Sequence, residues 1–190
     1  MAVTMDWLSR EKITRAWRWA IPLIVVIVAL DQLSKAWVLA TPDFRALECL
    51  DVLTRCGGIE LSPVMDFSMT WNRGVSFGAM QADGIARWVL FGLISVIAVG
   101  FTVWLLRAER KTTALALALV VGGAVGNLID RFIFGAVVDF IDFQGPWFGL
   151  NLFGWPVGFP WIFNIADAAI SIGAIFLLVD QLLVGRKRAG

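Results

Sequence analysis

Residues 163–180 read FNIADAAISIGAIFLLVD. Beyond the polar Asn164 and Asp167 the stretch is almost pure hydrocarbon, and with its flanks it approaches the ~20 residues that a bilayer crossing requires. An ionised Asp near the centre of a bilayer costs about 2.5–3.5 kcal/mol on insertion scales. A segment that carries one therefore needs a compensating partner or a chemical use for the acid. The fold turns on whether this is a membrane span or a buried helix of a soluble core.

Composition decides between the two. The chain has 190 residues, 59% of them hydrophobic and 16% charged, and its mean hydropathy is +0.79. Soluble globular chains run at about 45–50% apolar, so the excess points to a polytopic membrane protein. The formal net charge is +1, which gives no reason to expect a nucleic-acid partner. There is no His and no Tyr. That excludes Ser-His-Asp and Cys-His nucleophilic sites, and zinc chemistry that needs paired imidazoles. Acid–base work near neutral pH falls to Asp, Glu, Lys or Cys, and neither a metal nor another cofactor is expected. Cys49 and Cys56 lie in a polar connecting segment, where a disulfide and two free thiols are both open.

Four long apolar stretches run approximately over 18–39, 85–106, 113–134 and 161–184. No repeat or low-complexity tract interrupts them, so residues 1–190 read as a single polytopic membrane domain with four transmembrane helices. Basic residues set the orientation. Arg10, Lys12, Arg15 and Arg18 precede the first span, Arg107, Arg110 and Lys111 fill the turn between the second and third, and Arg186, Lys187 and Arg188 follow the fourth. These clusters belong on one side, which makes both termini cytoplasmic and the segments 40–84 and 135–160 outward. The N-terminal basic region and apolar run resemble a signal peptide. Because ALDQLSKAW follows in place of a small-residue cleavage site, the run is expected to stay as an uncleaved first span.

Both outward segments carry patterns of their own. In VMDFSMTWN, Met65, Phe67, Met69 and Trp71 alternate with Asp66, Ser68, Thr70 and Asn72, the period of a half-buried strand. Asn72-Arg73-Gly74 supplies turn chemistry and VSFGAM is expected to return, giving a small β-sheet on the outer membrane surface. FQGPWFGLNLFGWPVGFPWIF intersperses Trp and Phe with Gly and Pro, which rules out a long helix and suits an interfacial segment.

Acids stand where they are expensive. Asp31 and Lys35 are four apart, on one face of a helix, and can pair. In GGAVGNLIDR (122–131), Gly122 and Gly126 have the spacing that lets another helix approach closely. Asn127 and Asp130 are three apart, and Arg131 gives Asp130 an adjacent opposite charge, which marks it as part of a buried support network. Asp139 and Asp142 follow the third span, and spacing alone leaves either available. Asn164 and Asp167, three apart, point to one face of the fourth span, with Asp167 about 9 Å below Trp161 if the whole stretch is helical. Asp180 is expected to reach the interface. Asp139 and Asp167 flank one outward loop and can reach one shallow depth. Two carboxylates meeting there repel if both ionise, so they share a proton. The charged member then takes a proton from water while the protonated one polarises a carbonyl, which is amide hydrolysis without a covalent intermediate.

The set DQLSK (31–35), NRGVSFG (72–78), GNLIDR (126–131), VVDFID (137–142) and FNIADAAI (163–170) closely resembles the lipoprotein signal peptidases, or type II signal peptidases, in motif order, spacing and four-span layout. The resemblance implies a bacterial inner-membrane aspartic endopeptidase with its active site toward the periplasm. It implies cleavage of diacylglyceryl-modified prolipoproteins just before the lipidated cysteine. It places the catalytic pair on Asp139 and Asp167, in preference to Asp142 and Asp130, with Asp31, Lys35, Asn72, Asn127, Asp130, Arg131 and Asn164 in support. It also implies a monomer in contact with membrane lipid and inhibition by globomycin-type cyclic peptides. The stretch 42–60, with both cysteines, is longer than the family's usual connection. The competing reading is a small proton-coupled transporter or channel that uses the buried acids as a relay, though the acids cluster toward the outer side and form no path across.

Overall fold

The computed structural model describes residues 10–46, 49, 58–62, 65–74, 84–143, 151–152, 155–156 and 161–189. Four helices in it are long and apolar enough to cross a membrane, over Arg18–Ala40, Ile85–Leu106, Lys111–Phe134 and Ile165–Leu183. They belong to α1 (Arg10–Ala40), α3 (Ile85–Leu106), α4 (Lys111–Phe134) and α5 (Ile165–Ala189), while α2 (Pro42–Ala46) is a short turn of helix after α1. Hydrocarbon offers the backbone no hydrogen-bonding partner, so a helix, which satisfies its own N–H and C=O groups, is the form these stretches take. Large apolar side chains such as Val25, Leu33, Val89, Val96, Ile175 and Leu178 are exposed, as lipid-facing positions are. α4 differs: 67% of its apolar window is buried, against 11–28% in the other three, and it carries the small residues that close packing needs.

The contacts divide the chain into two compact units, one made of residues 1–31, 92–128 and 165–190, the other of 32–91 and 129–164. In the first, Ala20, Leu105, Leu117 and Leu177 head an apolar core. The Gly122/Gly126 spacing does what it suggests. A Cβ on Gly122 would stand 3.1 Å from Ile27, and one on Gly126 would stand 2.5 Å from Asp31 Oδ2, so α1 lies directly on the α4 backbone. Gly123 does the same for α5, where a Cβ would collide with the carbonyl of Ala166.

Asp180 meets the start of α4 at the end of the membrane spans. It is 8% exposed and accepts hydrogen bonds from Thr112 Oγ1 at 3.0 Å and Thr113 Oγ1 at 2.6 Å, with Arg110 Nη2 at 2.9 Å. The positive end of the α4 dipole adds to the attraction for its carboxylate.

The second unit holds a four-stranded antiparallel sheet in the order β1 (Gly58–Ser62), β2 (Met65–Asn72), β3 (Val137–Asp142), β6 (Ile162–Phe163). A separate pair joins β4 (Asn151–Leu152) to β5 (Trp155–Pro156). The alternation in 65–72 is a strand, with Met69 and Trp71 buried. Its described partners are β1 and β3, and the expected return over 75–80 lies outside the described residues. Val38, Phe44, Met69, Trp71, Val138 and Phe140 form the core beneath it. Cys49 is disulfide-bonded and its carbonyl accepts the Trp71 indole N–H at 3.2 Å. Cys56 lies outside the described residues.

Two boundaries place the acids. Gly135, at φ 72°, ends α4 and donates its N–H to the Arg131 carbonyl at 3.0 Å. This left-handed cap turns the chain from helix into β3 within two residues. The fourth span begins at Ile165, not near Trp161, because Ile162–Phe163 pair with β3 as β6. Asn164 therefore precedes α5 rather than sharing a helix face with Asp167, and Asp167 lies in the first turn.

The α1–α4 contact is open to test by thermal unfolding in detergent. Gly126→Val is expected to cost about 1–3 kcal/mol or more through overpacking against Asp31. Gly92→Ala, where a Cβ meets nothing within 4 Å, is expected to gain about 0.5–1 kcal/mol from better helix propensity. Equal tolerance of both would mean that α1 does not lie on α4 in this way.

Candidate active site

Within the second unit, Asp139 is 2% exposed in the middle of β3. One oxygen accepts Asn164 Nδ2 at 2.7 Å and the other accepts Asn72 Nδ2 at 3.0 Å. Asn164 Nδ2 also reaches the Val138 carbonyl at 3.2 Å, which fixes the end of β6 to the same strand. Asn72 closes β2, and its Oδ1 accepts the Gly74 N–H at 3.0 Å. That Asx turn holds the side chain so that its amide points to Asp139.

One residue before Asp139, the strand is pinned from α4. Asp130 is 1% exposed. Its Oδ2 accepts the Val138 N–H at 3.1 Å and the Lys35 ammonium at 2.8 Å, and its Oδ1 accepts Gln32 Nε2 at 2.9 Å. Lys35 thus supplies a counter-charge that the sequence reading assigned to Arg131. Arg131 donates from Nη2 to the Gly74 carbonyl at 2.6 Å, bracing the turn after β2. Asp142, the other acid of this strand, sits opposite Asp66 in the β2–β3 register.

Within the first unit, Asp167 is partly exposed and its Oδ1 accepts Asn127 Nδ2 from α4 at 2.8 Å. Asp31, wholly buried, reaches from α1 to accept the Ala166 N–H at 3.0 Å. A carboxylate oxygen on an amide of the first turn is the arrangement of an N-cap, and it adds favourable charge at the positive end of the helix. The first turn of α5, which carries Asp167, is therefore held through its backbone as well as through Asn127.

All nine residues singled out from the sequence lie in described segments, and each makes at least one of these bonds. Gln32 and the backbone groups of Gly74 and Val138 were not singled out. Gln32 lies inside DQLSK, but nothing local showed that it would face Asp130. Among the bonds described, Asp130 and Asp180 meet cations, Asp31 accepts a backbone N–H, and Asp139 and Asp167 accept asparagine amides. A neutral amide donor orients a carboxylate without cancelling its charge, and it favours the ionised form less than a cation does.

A family model described as signal peptidase (SPase) II matches residues 23–183. The chain belongs to the signal peptidase II family. The family is a family of proteases, and the four apolar helices make this member a multi-pass bacterial membrane protein. Among relatives, a lipoprotein signal peptidase of Methylorubrum extorquens (strain PA1) is 39% identical over 169 residues, covering 88% of this chain and 87% of the relative. One of Caulobacter vibrioides is 39% identical over 172 residues, covering 90% of each. Two solved bacterial membrane enzymes share the fold. One has a TM-score of 0.65 at 26% identity, over 86% of this chain and 87% of that one. The other has a TM-score of 0.63 at 28% identity, over 86% and 92%.

The Asp130 network predicts an asymmetric mutant cycle. Asp130→Ala removes the carboxylate 2.8 Å from the Lys35 ammonium, 3% exposed, along with its bonds to Gln32 and Val138, and is expected to cost about 3–5 kcal/mol of stability. Adding Lys35→Met to it is expected to recover part of that loss in unfolding measurements. A single-mutant cost below about 1 kcal/mol, the range of surface pairs, would show that the pair does not hold the strand.

Proposed function

We propose that this chain removes the signal peptide from diacylglyceryl-modified prolipoproteins, cutting just before the lipidated cysteine, with Asp139 and Asp167 as an aspartic catalytic pair. The observation that carries the proposal is the amide holding of these two carboxylates, in a chain without histidine that belongs to a protease family. The relatives' description as lipoprotein signal peptidases supplies the substrate class. On this reading both units act together as one membrane domain and as a monomer.

The mechanism follows from two acids sharing one proton. The ionised carboxylate takes a proton from a water molecule as the water oxygen bonds to the scissile carbonyl carbon. The protonated carboxyl gives its proton to the carbonyl oxygen, leaving a neutral tetrahedral diol. A proton then passes to the amide nitrogen, the C–N bond breaks, and the diol returns its proton as the new carboxyl group forms. Asn72, Asn164 and Asn127 keep the acids oriented. Asp130, Lys35, Arg131 and Asp31 keep the strand, the turn and the helix start in place. The basic clusters favour cytoplasmic termini in the inner membrane, which directs the pair toward the periplasm. A peptide-like inhibitor of the globomycin type would compete for the same acids.

Cleavage of a diacylglyceryl prolipoprotein by purified protein tests the assignment. Asp139→Asn and Asp167→Asn are each expected to lower kcat by about 10²–10⁴-fold or more, the scale of general acid–base catalysis, while both variants remain folded. The wild-type rate is expected to give a bell-shaped pH profile whose two limbs belong to the pair jointly. Wild-type turnover by either variant would reject the assigned pair. Acid-dependent proton flux in liposomes without proteolysis would instead favour a transporter.

A further inference from the structure

The ends of α3 and α4 frame a cavity of about 130 Å³ that neither Asp139 nor Asp167 lines. Its lining includes Arg87 and Trp88 from the first turn of α3, Arg131 and Phe132 from the last turn of α4, and the cap glycine Gly135. Among the described residues, two arginines line it and no acid does. At about 30 Å³ per water molecule, it holds a group several times the size of one water.

The two cations are arranged differently. Arg131 is braced on the Gly74 carbonyl. Arg87 is exposed, with its guanidinium 5.1 Å from the centre of the Trp88 ring. Gly135 makes room for it, since a Cβ there would stand 3.3 Å from Arg87 Nη1. Like charges converging on one concavity are at their most stable with an anion between them, and the planar fork of Arg matches phosphate oxygens in pairs. The start of α3 adds its positive end dipole.

The rim says what carries the anion. Trp88 is 48% exposed, Phe132 68% and Ile133 60%. Ile85 and Phe134 are the first and last residues of their membrane spans, so the cavity stands at headgroup level with hydrocarbon beside it. A free inorganic anion would gain nothing from that rim. A lipid gains at both ends, phosphate in the cavity and glycerol and acyl carbons along Trp88 and Phe132.

We propose that this cavity binds the phosphate of an anionic membrane glycerophospholipid, with Arg87 as its main ligand. The inference does not depend on the peptidase assignment. Full-length protein in detergent is titrated with phosphatidylglycerol, phosphatidylcholine, diacylglycerol or inorganic phosphate, and retained lipid is read by native mass spectrometry beside the Tm. Phosphatidylglycerol is expected to be retained and to raise Tm. Arg87→Gln is expected to weaken retention about tenfold, the worth of one charge-assisted contact, with Arg87→Lys falling between. Equal retention by Arg87→Gln would overturn the proposal. So would diacylglycerol or phosphatidylcholine retained as well as phosphatidylglycerol, or a Tm rise with inorganic phosphate that matches the lipid's.

Discussion

The Asp130 carboxylate is the contact on which the sheet unit depends. It takes three donors of different origin: an ammonium from Lys35, an amide from Gln32 and the backbone N–H of Val138. Buried charge is costly unless paired and hydrogen-bonded, and here both its oxygens are used. The consequence is positional. A strand can slip by one residue and turn every side chain to the other face. Val138 cannot slip while its N–H is held by a helix residue, so Asp139, next along, keeps its side. Asn72, at the end of β2, and Asn164, just after β6, then fix the carboxyl group itself from either side of β3.

The acids of this chain sort by their partners better than by their depth. Burial alone would rank Asp31, Asp130 and Asp139 together, since all are nearly inaccessible. Their partners separate them. A cation beside Asp130 neutralises it and fits it for structure. A backbone N–H on Asp31 makes it the cap of a helix. Asp139 and Asp167 take amide donors from Asn72, Asn164 and Asn127.

Much of this was legible in the sequence, and what was missed has a physical cause. The four spans were readable because hydropathy and length are local properties, and three of them begin and end within two residues of expectation. The fourth begins later because Ile162–Phe163 pair with β3, a long-range contact that apolar content does not reveal. The strand over 65–72 announced itself by alternation. VVDFID did not, because β3 is buried on both faces and so has no alternating pattern. The close spacing of Gly122 and Gly126 was readable, and Ile27 and Asp31 as the groups filling it were not. Spacing left Asp130, Asp139 and Asp142 as rivals because their partners, Lys35, Asn72 and Asn164, are brought to them by the fold. The return strand expected over 75–80 and most of the aromatic segment lie outside the described residues.

Three of the side chains that hold Asp139 and Asp167 are asparagine, and their chemistry accounts for it. Asn164 stands just before α5, where Asp, Asn and Ser are nearly interchangeable as caps. Asp there would have no donor and would set a second negative charge beside Asp139. Ser would offer one hydroxyl in place of an amide that reaches both Asp139 and the Val138 carbonyl. At Asn72 and Asn127, Lys or Arg could donate as well, but a fixed positive charge favours the ionised carboxylate more strongly than a neutral amide does, which the proposed sharing of a proton would oppose. Glutamine has the right group on a longer stem, and fixing it costs more side-chain entropy. Asparagine donates without adding a charge.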